Sequence, residues 1–157
     1  MKNFLKIIFF WIALLLLFSC TPEGTNWTPE QDTFAEKFYS AHQRKDLSAL
    51  RELFCWEGVT PPFEERIIEN LKVKLTIPIR TVDYEPLRSG DEINFTFQDR
   101  VYQGNLEGKI RFLVTYELPE RLHESFTLGI QEGQYKIVNP RPIEMAEEKN
   151  DNYESSN

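Results

Sequence analysis

Leu75-Thr76-Ile77-Pro78-Ile79-Arg80 is the stretch at which the chain changes its period. Up to Lys72, apolar residues recur every three to four positions. From Leu75 they alternate, with Leu75, Ile77 and Ile79 set against Thr76, Pro78 and Arg80. The first spacing draws an apolar stripe along a helix, the second along a strand. Helices therefore come first and strands after, the order of an α+β domain in which helices pack on an antiparallel sheet. Pro78 cannot donate to a ladder, so the strand that runs through it from Leu75 belongs at a sheet edge.

Working back from this point, three helices are expected. Thr28-Pro29-Glu30-Gln31 is a helix start: threonine caps, proline takes the first helical position, and Gln31 can reach back as in a capping box. The first helix carries Phe34, Ala35, Phe38, Tyr39 and His42 on one stripe and turns Glu36, Lys37, Gln43 and Arg44 outward. Asp46 caps a second helix whose buried side is Leu47, Leu50, Leu53 and Phe54, ending near Glu57-Gly58. Thr60-Pro61-Pro62 starts a third through Phe63, Ile67, Ile68 and Leu71.

Working forward, Arg88-Ser89-Gly90-Asp91 breaks the chain before Ile93, Phe95 and Phe97, which alternate with Asn94, Thr96 and Gln98 as a half-buried strand that Val101 to Gln103 extends or bulges. Lys109 to Leu118 alternates throughout and is expected to be central. Phe126, Leu128 and Ile130 form the next strand, and Gln131-Glu132-Gly133-Gln134 turns it into Tyr135 to Val138. Ala146 to Asn157 is polar and acidic, the composition of a disordered tail.

The N-terminus carries an address. Lys2 and Lys6 precede an unbroken apolar run from Ile7 to Phe18, closed by Ser19-Cys20. A span needs roughly 20 apolar residues, so this run reads as an export signal, residues 1–19. Leu17-Phe18-Ser19-Cys20 resembles the bacterial lipobox, and the resemblance implies that Cys20 is acylated and holds the protein to the membrane outside the cytoplasm, in the cell envelope. Thr21, rather than aspartate, after that cysteine favours the outer membrane on the same resemblance. Residues 20–27 are then the lipidated cysteine and a short linker. Thr21 to Asn26 reaches only about 20 Å when fully extended, so the domain stays near its membrane.

Loss of residues 1–19 removes Lys2 and Lys6 and no acid, moving the net charge from −7 to −9, with 16 basic side chains against 25 acidic. An acidic surface repels phosphate backbones and anionic headgroups, which argues against nucleic acid and against electrostatic membrane adhesion. If Cys20 is acylated, Cys55 is the sole remaining thiol and no internal disulfide can form. Between Phe54 and Trp56 it reads as a small buried hydrophobe. His42 and His123 stand far apart without supporting ligand spacing, so no metal or other cofactor is expected.

Three helices before a curved antiparallel sheet, with Phe34, Phe38 and Tyr39 on the first helix, Asp46-Leu47-Ser48-Ala49-Leu50 opening the second and a closing hairpin at Gly133, resemble the cone-shaped nuclear transport factor two-like superfamily over residues 28–145. Cys55-Trp56-Glu57-Gly58-Val59 and Asn105-Leu106-Glu107-Gly108 resemble signatures of bacterial envelope proteins of this fold. The resemblance implies a sheet wrapped around the first helix and an apolar pocket at its wide end, which Phe38, Trp56, Tyr84 and Tyr116 would line. It also implies a choice of function, since the superfamily holds isomerases and dehydratases beside proteins that only bind. Asp83, Asp99, His42, His123, Tyr84, Tyr102 and Tyr116 are the groups eligible for catalysis by analogy, but none sits in a motif that demands it. The reading is therefore a binding domain without catalytic activity, for an envelope protein partner or an apolar small ligand. The alternative is an enzyme pairing a pocket carboxylate or histidine with a tyrosine.

Overall fold

The computed structural model describes residues 27–117 and 122–143. The export signal, Cys20, the linker to Asn26, the Pro119-Glu120-Arg121 break and the acidic tail lie outside them. The described chain is α+β: helices α1 (Pro29–Gln43), α2 (Leu47–Arg51) and α3 (Pro61–Lys74) precede strands β1 (Ile79–Pro86), β2 (Asn94–Phe97), β3 (Arg100–Gly104), β4 (Ile110–Tyr116), β5 (His123–Gln131), β6 (Gln134–Ile137) and β7 (Pro140–Pro142). The strands form two antiparallel sheets, ordered β1-β4-β5-β6 and β2-β3-β7, and neither closes into a barrel.

Helix α1 begins as its sequence dictates. The Thr28 hydroxyl accepts from Gln31 N at 3.3 Å, and Gln31 Oε1 accepts from Thr28 N at 2.8 Å, so two orphan N–H groups of the first turn are satisfied. Phe34, Ala35, Phe38, Ala41 and His42 are buried against the four-stranded sheet, whereas Tyr39, expected on the same stripe, is 40% exposed at its margin. Asp46 caps α2 by accepting from Ala49 N. That helix stops at Arg51 rather than near Gly58, because the backbone of Leu53 and Cys55 leaves it to bond Ile137 of β6.

The period change is displaced by four residues from its expected place. Leu75 caps α3 and donates to Leu71 O, and Thr76 and Ile77 continue in tight turns to Val73 O and Lys74 O. Leu75 and Ile79 are buried, so the alternation is real, but the first half of it is a helix end. The strand opens after Pro78 and lies at a sheet edge, as expected, although the proline itself precedes the ladder.

β4 is central, bonded to β1 on one side and to β5 on the other, with Phe112, Val114 and Tyr116 buried. Tyr84, Phe112 and Phe126 share one cross-strand row. Above it Phe34 and Phe38 of α1 meet Phe112 edge-on, with ring centres 5.2 and 5.1 Å away. Leu50, Phe54, Leu71, Leu75, Leu128 and Ile137 complete the core.

The half-buried strand expected at Ile93 to Phe97 is corrected by the structure. Strand β2 is exposed along its whole length, with Phe95 38% and Phe97 45% accessible. Its expected extension is a separate strand, β3, reached through a two-residue turn in which Gln98 and Asp99 both take positive φ. Alternation alone states that one face is apolar and cannot state what covers it. Among the described residues the aromatic neighbours of Phe95 and Phe97 are Phe63 of α3 and, for Phe95, Tyr102, and the Phe63 and Tyr102 ring centres are 4.9 Å apart. Strand β7, in a stretch the sequence marks only by prolines, completes this sheet by pairing with β3.

Candidate functional site

Of the four residues expected to line a pocket, Phe38 and Tyr116 are in the core and Trp56 and Tyr84 pack partly buried against it, and none lines either of the two grooves described below. Phe38 is 1% exposed among Phe34, Phe112 and Phe126. Tyr84 packs on Phe112 and donates its hydroxyl to Gln31 O at 2.7 Å. Tyr116, at the end of β4, donates to Glu124 Oε2 at 3.0 Å. Trp56 stacks on Phe54, donates its indole N–H to Arg51 O and carries the Arg51 guanidinium over its ring. Burial raises the pKa of both phenols, helped at Tyr84 by nearby Tyr135 and Asp32 and at Tyr116 by Glu124. Both phenols stay protonated and act as fixed donors.

Of the other eligible groups only His42 meets one of these side chains, its ring tilted against that of Tyr116. Asp83 is exposed and accepts from the N–H of Tyr84. Asp99 occupies the tight β2–β3 turn, and Tyr102 is stacked on Phe95. His123 is exposed, with Nδ1 3.0 Å from Thr115 Oγ1. His42 is buried, and its Nε2 lies 3.0 Å from Lys74 O at the end of α3. Cys55 is buried as expected.

One ionisable cluster was not foreseen. Lys74 lies 3.5 Å from Glu124 and sits over the Tyr116 ring at 5.1 Å, while His42 is tilted against the same ring. Only the tertiary fold joins the last turn of α3 to the first residues of β5, so no local motif marks Lys74 or Glu124. The cluster is mutually satisfied, and no side-chain polar atom buried among the described residues lacks a partner. Burial lowers the pKa of His42, partly opposed by its bond to the Lys74 carbonyl. The unfolded histidine titrates near 6.5, so below that pH the unfolded chain binds more protons and the native state loses stability. His42 contributes fully above about pH 6.5 and its contribution falls as the pH drops toward the lowered native value. Thermal melting is expected to fall between pH 7.5 and pH 5, and His42→Gln is expected to flatten that part of the profile.

Two concavities among the described residues open on the surface. One groove, of about 580 Å³, runs between α1, the end of α2 and the β5–β6 hairpin. Its floor is Phe34, Ala49 and Leu53, and its walls alternate in charge, with Glu30, Glu36 and Glu52 against Lys37, Arg44 and Lys136. Lys136 donates to the Glu52 carbonyl and ties the hairpin to α2 across one end. The second groove, about 600 Å³, lies on the opposite face of the larger sheet. There Arg111 is held by Glu85, Asp91 and the Ser125 hydroxyl, so its charges are already paired.

Among the described residues no group of three metal-ligating side chains comes together, and no helix is long and apolar enough to cross a membrane. Comparison with protein families, curated proteins and solved structures gives no match to this chain.

Proposed function

We propose that the protein is a lipid-anchored lipoprotein of the cell envelope whose domain binds a segment of a protein partner and carries no catalytic activity. The observation that carries this reading is the groove at α1, with an apolar floor under walls of both charge signs over a core filled with aromatic rings. Mixed charges above a small apolar strip suit a polypeptide segment, whose own side chains alternate in the same way. They suit an apolar small molecule poorly. The space between α1 and the sheet, where a cone-shaped fold of this superfamily holds its ligand, is taken up here by Phe34, Phe38, Phe112 and Phe126. Helices segregated onto an antiparallel sheet support the superfamily reading at the level of element order. The enzyme alternative draws its support from the His42, Lys74, Tyr116 and Glu124 cluster, but those groups bond one another.

The anchor and the groove are close in the chain. Glu30, on the groove wall, is ten residues from Cys20, a reach of at most about 35 Å. A partner held there is itself at the membrane. The lipid claim is tested by growing cells with an alkyne-bearing palmitate: the chain is expected to be labelled and Cys20→Ser to be unlabelled. Equal labelling of both would remove acylation at Cys20. The binding claim is tested with a photoreactive residue at position 37 in the full chain. A discrete protein adduct, lost on Lys136→Glu and absent when the probe stands at Asp83 on the opposite sheet face, is the expected result. Adducts that ignore both changes would sink the assignment.

A further inference from the structure

The two sheets have four edges, β1 and β6 in one, β2 and β7 in the other. Three are guarded. β6 has the backbone of its last residue, Ile137, bonded by Leu53 and Cys55 and carries the charge of Lys136. β7 is Pro140-Arg141-Pro142, with no N–H at either proline. β1 follows Pro78, ends in Pro86 and carries Arg80, Asp83 and Glu85. Prolines, charges and covering segments are the devices that keep sheet edges from pairing with other chains. Among the described residues β2, Asn94-Phe95-Thr96-Phe97, has none of them: no proline, no charge, no segment bonded along it, and two half-exposed phenylalanines.

We propose that β2 is an interface at which two copies of this chain pair edge to edge, antiparallel, about a two-fold axis through Thr96. The register follows from the hairpin. A two-residue turn closes on a hydrogen-bonded pair, here Phe97 with Arg100, and Gly104 N donates to Ile93 O. The backbone groups of Ile93, Phe95 and Phe97 therefore face β3, and those of Asn94 and Thr96 face outward.

A symmetric antiparallel pair centred on Thr96 uses those outward groups. It sets Thr96 against the partner's Thr96 as the hydrogen-bonded pair, and Phe95 against the partner's Phe97 on both sides of the axis. Aromatic pairs and threonine pairs are the cross-strand combinations that stabilise such ladders. The Phe95–Phe97 pairs fall at the closely spaced positions, with Cα atoms about 4.5 Å apart. Phe63 and Tyr102 back the same face in each copy. The sequence of β2 is thus complementary to itself, and an uncharged edge lets two copies of an acidic chain approach. With Phe95 and Phe97 at the contact and Phe63 behind them in each copy, the contact is smaller than the roughly 1,200–2,000 Å² of a standard interface.

The test uses the full chain in membranes. Thr96→Cys places two thiols with Cα atoms about 5.5 Å apart, within the roughly 4.4–6.8 Å a disulfide spans. Mild oxidation is expected to give a covalent homodimer, while the parent chain and Arg80→Cys, on the guarded β1 edge, give none. In detergent, native mass spectrometry is expected to show the parent chain as a dimer. Thr96→Lys, which sets like charges directly opposite, is expected to weaken that dimer at least tenfold with thermal unfolding unchanged. A disulfide from Arg80→Cys as readily as from Thr96→Cys, a covalent adduct of Thr96→Cys to a different protein, or a Thr96→Lys dimer as tight as the parent's would each overturn the proposal.

Discussion

Asn105→Ala is expected to destabilise the domain by about 3 kcal/mol, moving the urea midpoint down with little change in slope and lowering Tm by roughly 12 °C. The Asn105 side chain donates to Cys55 O at 2.8 Å and to Glu57 O at 3.1 Å, and accepts from Asn139 N at 2.9 Å. Asn139 in turn donates from its side chain to Cys55 O, and its carbonyl accepts from Asn105 N. Both asparagines are buried. Alanine leaves the Asn139 N–H buried without a partner, at about 1–3 kcal/mol, and strips a donor from the Glu57 carbonyl. A folded domain holds only about 5–15 kcal/mol in total. Asn105→Asp keeps the shape and the acceptor but turns a carboxylate toward two carbonyls, so it is expected to cost at least as much. An Asn105→Ala variant within about 0.5 kcal/mol of the parent would mean that this clasp does not hold the loops together.

Phe112→Ala is expected to be the costliest core change, about 3–5 kcal/mol in the same denaturation experiment. Its ring is fully buried, and Phe34, Phe38 and Tyr84 lie with ring centres 5.1 to 5.2 Å away. Three neighbouring rings on a helix and a strand cannot close the hole together, so the cavity persists. A dry apolar cavity of this kind takes up benzene-sized molecules. The variant is therefore expected to gain a benzene-dependent rise in Tm that the parent lacks. A parent protein stabilised by benzene to the same degree would show that the interior was never filled.

The clasp also shows what the sequence could and could not convey. Cys55-Trp56-Glu57-Gly58 and Asn105-Leu106-Glu107-Gly108 stand out in the linear chain as separate motifs, and in the structure they meet through Cys55 O, Glu57 O and Asn105. Their conspicuousness comes from a structural bond between loops, a contact no local pattern encodes. The capping box at Thr28, the central place of β4 and the turn at Glu132-Gly133 were legible because capping, alternation and positive φ are local physics. The helix end at Leu75 and the exposure of β2 were not, since both depend on what packs above them. The groove at α1 was equally hidden. In the sequence Glu36, Lys37 and Arg44 read as the solvated face of a helix, and only the return of the β5–β6 hairpin beside them turns that face into a wall.

The central claim is that the space between α1 and the sheet is core, leaving the surface to do the binding. Native mass spectrometry of the chain from Thr21 to Asn157, desalted gently from cell extract, tests it most directly. The expected spectrum carries the polypeptide mass, as monomer or dimer, with no small molecule attached. A stoichiometric apolar adduct, released when the domain unfolds, would place a ligand in the interior and contradict the account.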